Sequence, residues 1–133
     1  MKALRVLDVW AGNQRLLLPI VQVQAVHRPG MKPPQRATDR LVLRLSGALL
    51  RRIETGDGQM QVVVEPRIGP LWAVDAVGEL LDVRPEQLYR LPGLLTGFSA
   101  PGVWALARLP EGDIPTLDLN ILAQTVPSDY APA

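Results

Sequence analysis

The stretch 71-LWAVDAVGELLDVRPEQL-88 decides the fold. Apolar residues run through Val74 and resume at Val77, Leu80, Leu81 and Val83, with Asp75, Glu79 and Asp82 between them. A β-competent run from Leu71 to Val83 is long enough to need a bulge, and Gly78 is the natural site for one. Pro85-Glu86-Gln87-Leu88 then closes the run as a turn, because proline fixes φ and offers no N–H to a ladder.

Working outward, the Gly- and Pro-rich stretch Pro92 to Gly102 separates this run from two further strands, Val103 to Leu109 and Ile114 to Leu117. Pro110-Glu111-Gly112-Asp113 joins them, and a short helical turn is expected over Leu119 to Gln124. Upstream, Gln59 to Glu65 reads as a strand connected through Pro66-Arg67-Ile68-Gly69. Leu4 to Trp10 is a first strand, and Ala11-Gly12-Asn13-Gln14 is a turn whose hairpin partner begins at Arg15. The segment Leu16 to Val26 is too apolar for an exposed strand, and Pro19 within it marks a bend or an edge. After a loop from Pro29 to Asp39, Arg40 to Leu45 is β-competent, and Ser46 is placed to cap a helical turn carrying Leu49, Leu50 and Ile53. Thr55-Gly56-Asp57-Gly58 is a tight turn.

Composition agrees with many short strands. Thirteen prolines and eleven glycines in 133 residues interrupt the chain too often for long helices. Apolar residues at 47% and charged residues at 20% are ordinary for a globular protein of one domain. There is also a faint internal echo. Ile20, Val23 and Val26 share the spacing of Val74, Val77 and Leu80, and Leu43-Arg44-Leu45 matches Leu117-Asp118-Leu119. Two strand–turn units packed together would produce it.

The residues that carry chemistry are sparse. With no cysteine and one histidine there is no disulfide framework, no thiolate nucleophile and no expectation of a metal or a cofactor. Asp75, Glu79 and Asp82 lack a nucleophile in company, and an alternating strand would put Asp82 on the face opposite the other two; these acids read as solvating charges or as partners of Arg84 and Arg90. His27 beside Arg28 has no Ser, Cys or Asp at a triad spacing and reads as polar loop surface. The glycines form neither a phosphate loop nor a dinucleotide fingerprint. No catalytic residue is expected. Trp10, Trp72 and Trp104 sit one per strand as core aromatics, and Trp72, whose neighbours alternate, is the one that would reach the edge of a contact surface.

A net charge of +1 gives the molecule no field to concentrate nucleic acid. The first ten residues, MKALRVLDVW, break their apolar run with Arg5 and Asp8, and no stretch approaches the roughly 18 apolar residues of a membrane span; a cytoplasmic protein without membrane insertion is expected.

The order of 71-LWAVDAVGELLDVRPEQL-88, a Gly/Pro loop and 114-IPTLDLNILAQ-124 resembles the second half of the CheW-like coupling proteins of chemotaxis. LPIVQVQAVHRP is similar to the strand of that family ending in Val-Gln-Glu-Ile, and LVLRLSGALLR to its Val-Pro-Ile-Val-Asp-Leu-Arg strand. The resemblance implies an all-β fold of two small SH3-like β-barrels packed side by side, with approximate subdomains 15–65 and 66–125 plus strand 4–10, in a single domain whose tail over 126–133 is loose. It implies a non-enzymatic adaptor without cofactors. Its partners would be the cytoplasmic tips of methyl-accepting chemoreceptors, a CheA-type histidine kinase and other CheW-like domains.

Position by position, Val23, Val62 and Leu80 match residues that line the receptor-facing groove in the family, and Ala25 stands beside them where the family often has Glu. Arg44 replaces a family Asp, and the loop at Pro29 to Asp39 is shortened, losing a Gly-Val-x-Asn-Leu-Arg-Gly segment with an arginine used in array contacts. The alternative is a small nucleic-acid-binding β-barrel using the basic loop 27–40, with His27, Arg28, Lys32, Arg36 and Arg40. Near-zero net charge and the absence of exposed aromatic pairs weigh against nucleic acid as a partner.

Overall fold

The computed structural model describes residues 3–31, 40–46, 50, 52–58, 60–90 and 102–126. Among these the strands are β1 Leu4–Ala11, β2 Gln14–Pro19, β3 Val23–His27, β4 Val42–Ser46, β5 Arg52–Thr55, β6 Val62–Pro66, β7 Leu71–Val74, β8 Ala76–Val83, β9 Leu88–Arg90, β10 Val103–Leu109 and β11 Gly112–Leu117; one helix, α1 Leu119–Gln124, follows. They form a six-stranded sheet in the order β8-β1-β2-β11-β10-β9 and a five-stranded sheet in the order β3-β6-β7-β4-β5. The expected all-β architecture with short helical turns is the one observed.

The chain changes sheets at two points. After Pro19 a 3-10 turn over Ile20–Gln22 carries it from the six-stranded to the five-stranded sheet, and at Asp75 it returns. The run Leu71 to Val83 is therefore two strands, not one. The break has a local cause: the Asp75 N–H donates to the Trp10 carbonyl at 2.8 Å, and its carboxylate accepts from the Gly12 N–H and from Gln61 Nε2. These bonds pin the bend to the β1–β2 hairpin. Beyond it the expected bulge is present. Leu7 pairs with Leu80 and Val9 with Val77, so Asp8 faces both Gly78 and Glu79. A Cβ on residue 78 would stand 3.0 Å from Asp8 Oδ2, which is why glycine suits the position.

Sheet membership corrects the expected halves, because β2 pairs with β11 across the 15–65 and 66–125 boundary and β7 pairs with β4 and β6 across it. The crossovers also explain the internal echo. Ile20 and Val23 flank one, Val74 and Val77 the other. Each strand entering a crossover, β2 or β7, pairs antiparallel on one side and parallel on the other, with β11 and β4 respectively. Those parallel partners are the strands that carry Leu117 and Leu43-Arg44-Leu45. Of the helical turn expected over Ser46 to Ile53, Ser46 ends β4 and Ile53 lies in β5 opposite Leu45. Leu50 stands in a 3-10 turn, and Leu49 lies outside the described residues.

Both faces of the β1–β2 hairpin are buried, which accounts for the unbroken apolar run Leu16-Leu17-Leu18. On one face Leu7, Val9, Leu16 and Leu18 meet Leu43, Val64, Trp72 and Val74 of the other sheet, with Leu117, Leu119 and Leu122 closing the cluster. On the opposite face Val6 and Leu17 pack with Val83, Ala107 and Ile114 inside the six-stranded sheet's own curl. Asp8 lies on that second face too, where Arg15 Nε donates to its carboxylate at 2.7 Å and the pair is mostly enclosed. That hydrogen bond raises the already high pKa of Arg15, so the guanidinium stays charged despite its burial.

Asp118 caps α1, its Oδ1 accepting from the N–H groups of Asn120 and Ile121 at 2.9 and 3.2 Å. The Gln22 side chain docks on the same cap: Nε2 donates to Asp118 Oδ1 at 3.0 Å, and Oε1 accepts from the Leu119 N–H at 2.7 Å. The first crossover is thereby fastened to the helix that follows the last strand. Asp118→Ala is expected to cost about 1–2 kcal/mol, the usual worth of a lost cap. The urea midpoints of Asp118→Ala, Gln22→Ala and the double variant check it; because the two side chains share one network, the double variant should lose less than the sum of the single losses. Strict additivity would mean that the crossover and the helix are independent.

Candidate partner-binding surface

Val23 and Val62 both lie half-buried against the core between the sheets. Val23 pairs with Pro66, and Val62 is at the other end of the same strand, four residues and about 13 Å away along β6. Leu80 comes from the other sheet, opposite the buried Leu7 on the edge strand β8, and is 52% exposed. Two of the four candidate residues, Val23 and Val62, thus border one apolar core, and Leu80 stands exposed beside Leu7, a member of that core, on the other sheet. Val26 joins them. It pairs with Val64, a member of that core, and is 40% exposed. Sequence periodicity missed Val26 because a register shift between Val23 and Ala25 puts Val23 and Val26 on one face, where strict alternation would separate them.

The same shift removes Ala25 from the group. Ala25 pairs with Glu65 and shares its face of the sheet, opposite to the face of Val23 and Val64. Glu65 is 1% exposed. His27 Nε2 lies 2.7 Å from Glu65 Oε1, and Arg40 Nη1 lies 3.6 Å from Oε2. Arg40 also donates to the carbonyls of Gly69 at 2.6 Å and Pro66 at 2.7 Å. His27 is therefore the last residue of a strand and part of an enclosed ionic cluster, contrary to its reading as loop surface. Two of the five basic residues offered for nucleic acid are turned inward by one carboxylate; Lys32 and Arg36 lie outside the described residues.

The remaining acids have structural tasks or lie in water. Asp75 holds the bend, Glu79 is exposed at the bulge, and Asp82 pairs with Arg5 across the β1–β8 ladder at 3.1 Å, where Arg84 and Arg90 had been the expected partners. Arg44, standing where a family Asp was expected, pairs with Glu54 at 2.8 Å. A cleft of about 360 Å³ opens at the seam between the sheets, lined by Asn13, Arg44, Gln61 and Asp75 over Leu45 and Val74. Among the described residues no group of three His, Asp or Glu is placed to hold a metal ion, and no helix is long and apolar enough to cross a membrane.

The aromatic expectations need two corrections. Trp72 is 3% exposed and sits in the core between the sheets, and Trp10, at 41%, is the tryptophan that reaches the surface. An exposed aromatic pair does exist: Tyr89, 43% exposed, shares a sheet face with the half-buried Trp104.

No protein-family model matches the chain, and no curated protein matches it in sequence. Among solved structures it is similar to the scaffolding protein TtCheW from Thermoanaerobacter tengcongensis, with a TM-score of 0.63, 12% sequence identity and 98% of each chain covered. The chain therefore has the CheW fold, two SH3-like β-subdomains side by side.

Proposed function

We propose that this protein is a non-enzymatic, cytoplasmic adaptor of the CheW kind, which couples the tips of chemoreceptors to a CheA-type histidine kinase. The observation that carries this reading is the fold shared with a scaffolding protein over nearly the whole of both chains. The apolar margin at Val23, Val26, Val62 and Leu80 supports it, because a receptor helix can dock on a few aliphatic side chains without any catalytic group. The enclosed Glu65–His27–Arg40 cluster speaks against the nucleic-acid alternative, since it turns two side chains of the basic loop inside the fold. Oligonucleotides should bind with a dissociation constant above roughly 0.1 mM at physiological salt.

The test is a cross-linking pull-down of the tagged protein from its native cell. Recovery of a histidine kinase together with chemoreceptors supports the coupling role. Recovery of neither, under conditions that retain known array components, overturns it.

A further inference from the structure

The outer face of β9 and β10 carries an arrangement unrelated to the apolar margin. Tyr89 pairs with Leu106, and Trp104 and Arg108 stand two residues to either side on β10. The Arg108 guanidinium lies 4.5 Å from the centroid of the Tyr89 ring; Arg90, which pairs with the buried Ala105 and so starts from the other face of the strand, brings its guanidinium to 6.0 Å from the Trp104 ring. We propose that this face is a docking site for an extended acidic segment of a partner protein.

Each guanidinium is laid on a ring, so much of its rotamer freedom is already lost and its planar N–H fork is held ready. A carboxylate that meets such a fork bidentately pays little further ordering cost. The same stacking disfavours a nucleic-acid base on Tyr89, because the ring face it would occupy is covered by Arg108. The charges on the face also favour an anion. Arg90 has no acidic partner among the described residues. Arg108 has only Asp113, at 3.7 Å, with both side chains more than half exposed, and such a pair is easily exchanged.

Geometry indicates an extended ligand. Arg90 pairs with Ala105, three residues before Arg108 on β10, so the two residues stand roughly 10 Å apart along the strand, a span that an extended acidic segment covers with carboxylates about three positions apart. β9 is moreover an edge strand of the six-stranded sheet, so an incoming strand can align beside it.

The experiment titrates the full chain at low ionic strength with a short peptide of alternating Asp and Gly, its Asn/Gly counterpart and a single-stranded oligothymidylate. The read-out is anisotropy of the labelled probe together with the Trp104 indole N–H resonance. The Asp peptide is expected to bind and to shift that resonance, and the Asn peptide to do neither. Arg90→Ala and Arg108→Ala should each weaken binding by about fivefold or more, with Arg108→Lys intermediate because it keeps the charge and loses the fork. Asp113→Asn should strengthen binding by about two- to threefold by freeing Arg108, and Arg5→Ala, whose guanidinium is paired with Asp82, should leave it unchanged. Thermal melts of each variant establish that it is folded. Absence of Asp-peptide binding up to about 1 mM, indifference to both arginine substitutions, or tighter binding of the oligothymidylate overturns the proposal.

Discussion

Glu65→Ala is expected to lower folding stability by about 3–5 kcal/mol, the cost of removing one member of a buried ionic cluster. The carboxylate is enclosed, and it accepts from His27 and faces Arg40, which together tie β3 and the segment before β4 to the end of β6. Its loss leaves the Arg40 guanidinium, itself only 19% exposed, without its countercharge and opens a void behind Ala25. The exposed pair Arg5–Asp82 provides the control. Its side chains are 60% and 57% exposed, and Arg5→Ala should leave the urea midpoint close to that of the unaltered protein. Urea unfolding checks both, with the midpoint moving for Glu65→Ala and the slope unchanged. A loss below about 1 kcal/mol for Glu65→Ala would mean that water reaches the carboxylate and that the cluster does not order this side of the sheet.

How far the sequence reveals the molecule depends on which residues set each feature. Strands β1, β10 and β11 and the helix cap are determined by near neighbours: alternating apolar residues, Gly12 with its φ of +62° in a two-residue hairpin loop, and Asp118 beside a helical run. The bulge at Gly78 is legible for the same reason. The break at Asp75 is not, because its cause lies 63 residues away in the Gly12 N–H. The assignment of β2 and β7 to their sheets likewise depends on parallel partners remote in sequence, β11 and β4. An apolar run such as Leu16-Leu17-Leu18 announces burial on both faces without naming what covers either.

The candidate surface divides along the same line. Leu80, Val62 and Val23 are legible only through a resemblance in sequence; Val23 and Val62 pack against the core between the sheets, and Leu80 stands exposed beside Leu7 on the edge strand. Ala25 fails because a single extra residue in β3 reverses the alternation that would have placed it beside Val23. The pairing of His27 with Glu65 was equally hidden, since neither residue has a spacing motif and only the β3–β6 register brings them together.

Leu80→Glu is the substitution that separates folding from recognition. Val23 and Val62 pack against the central core, so a charge at either would damage the fold as well as any contact. Leu80 is half exposed on an edge strand, with Asp82 and Arg5 already solvated nearby, and a carboxylate there can turn to water in the free protein at a cost of about 1 kcal/mol. Buried unpaired beneath a receptor helix it would cost about 2 kcal/mol or more, upwards of tenfold in affinity. The check is to measure melting temperature and binding to a chemoreceptor tip for Leu80→Glu beside Gln124→Glu, an exposed charge change at the end of α1. Weakened binding with a melting temperature close to that of Gln124→Glu is the expected result. An unfolded Leu80→Glu protein would make the residue part of the core, and a folded variant that binds the tip normally would remove Leu80 from the contact surface.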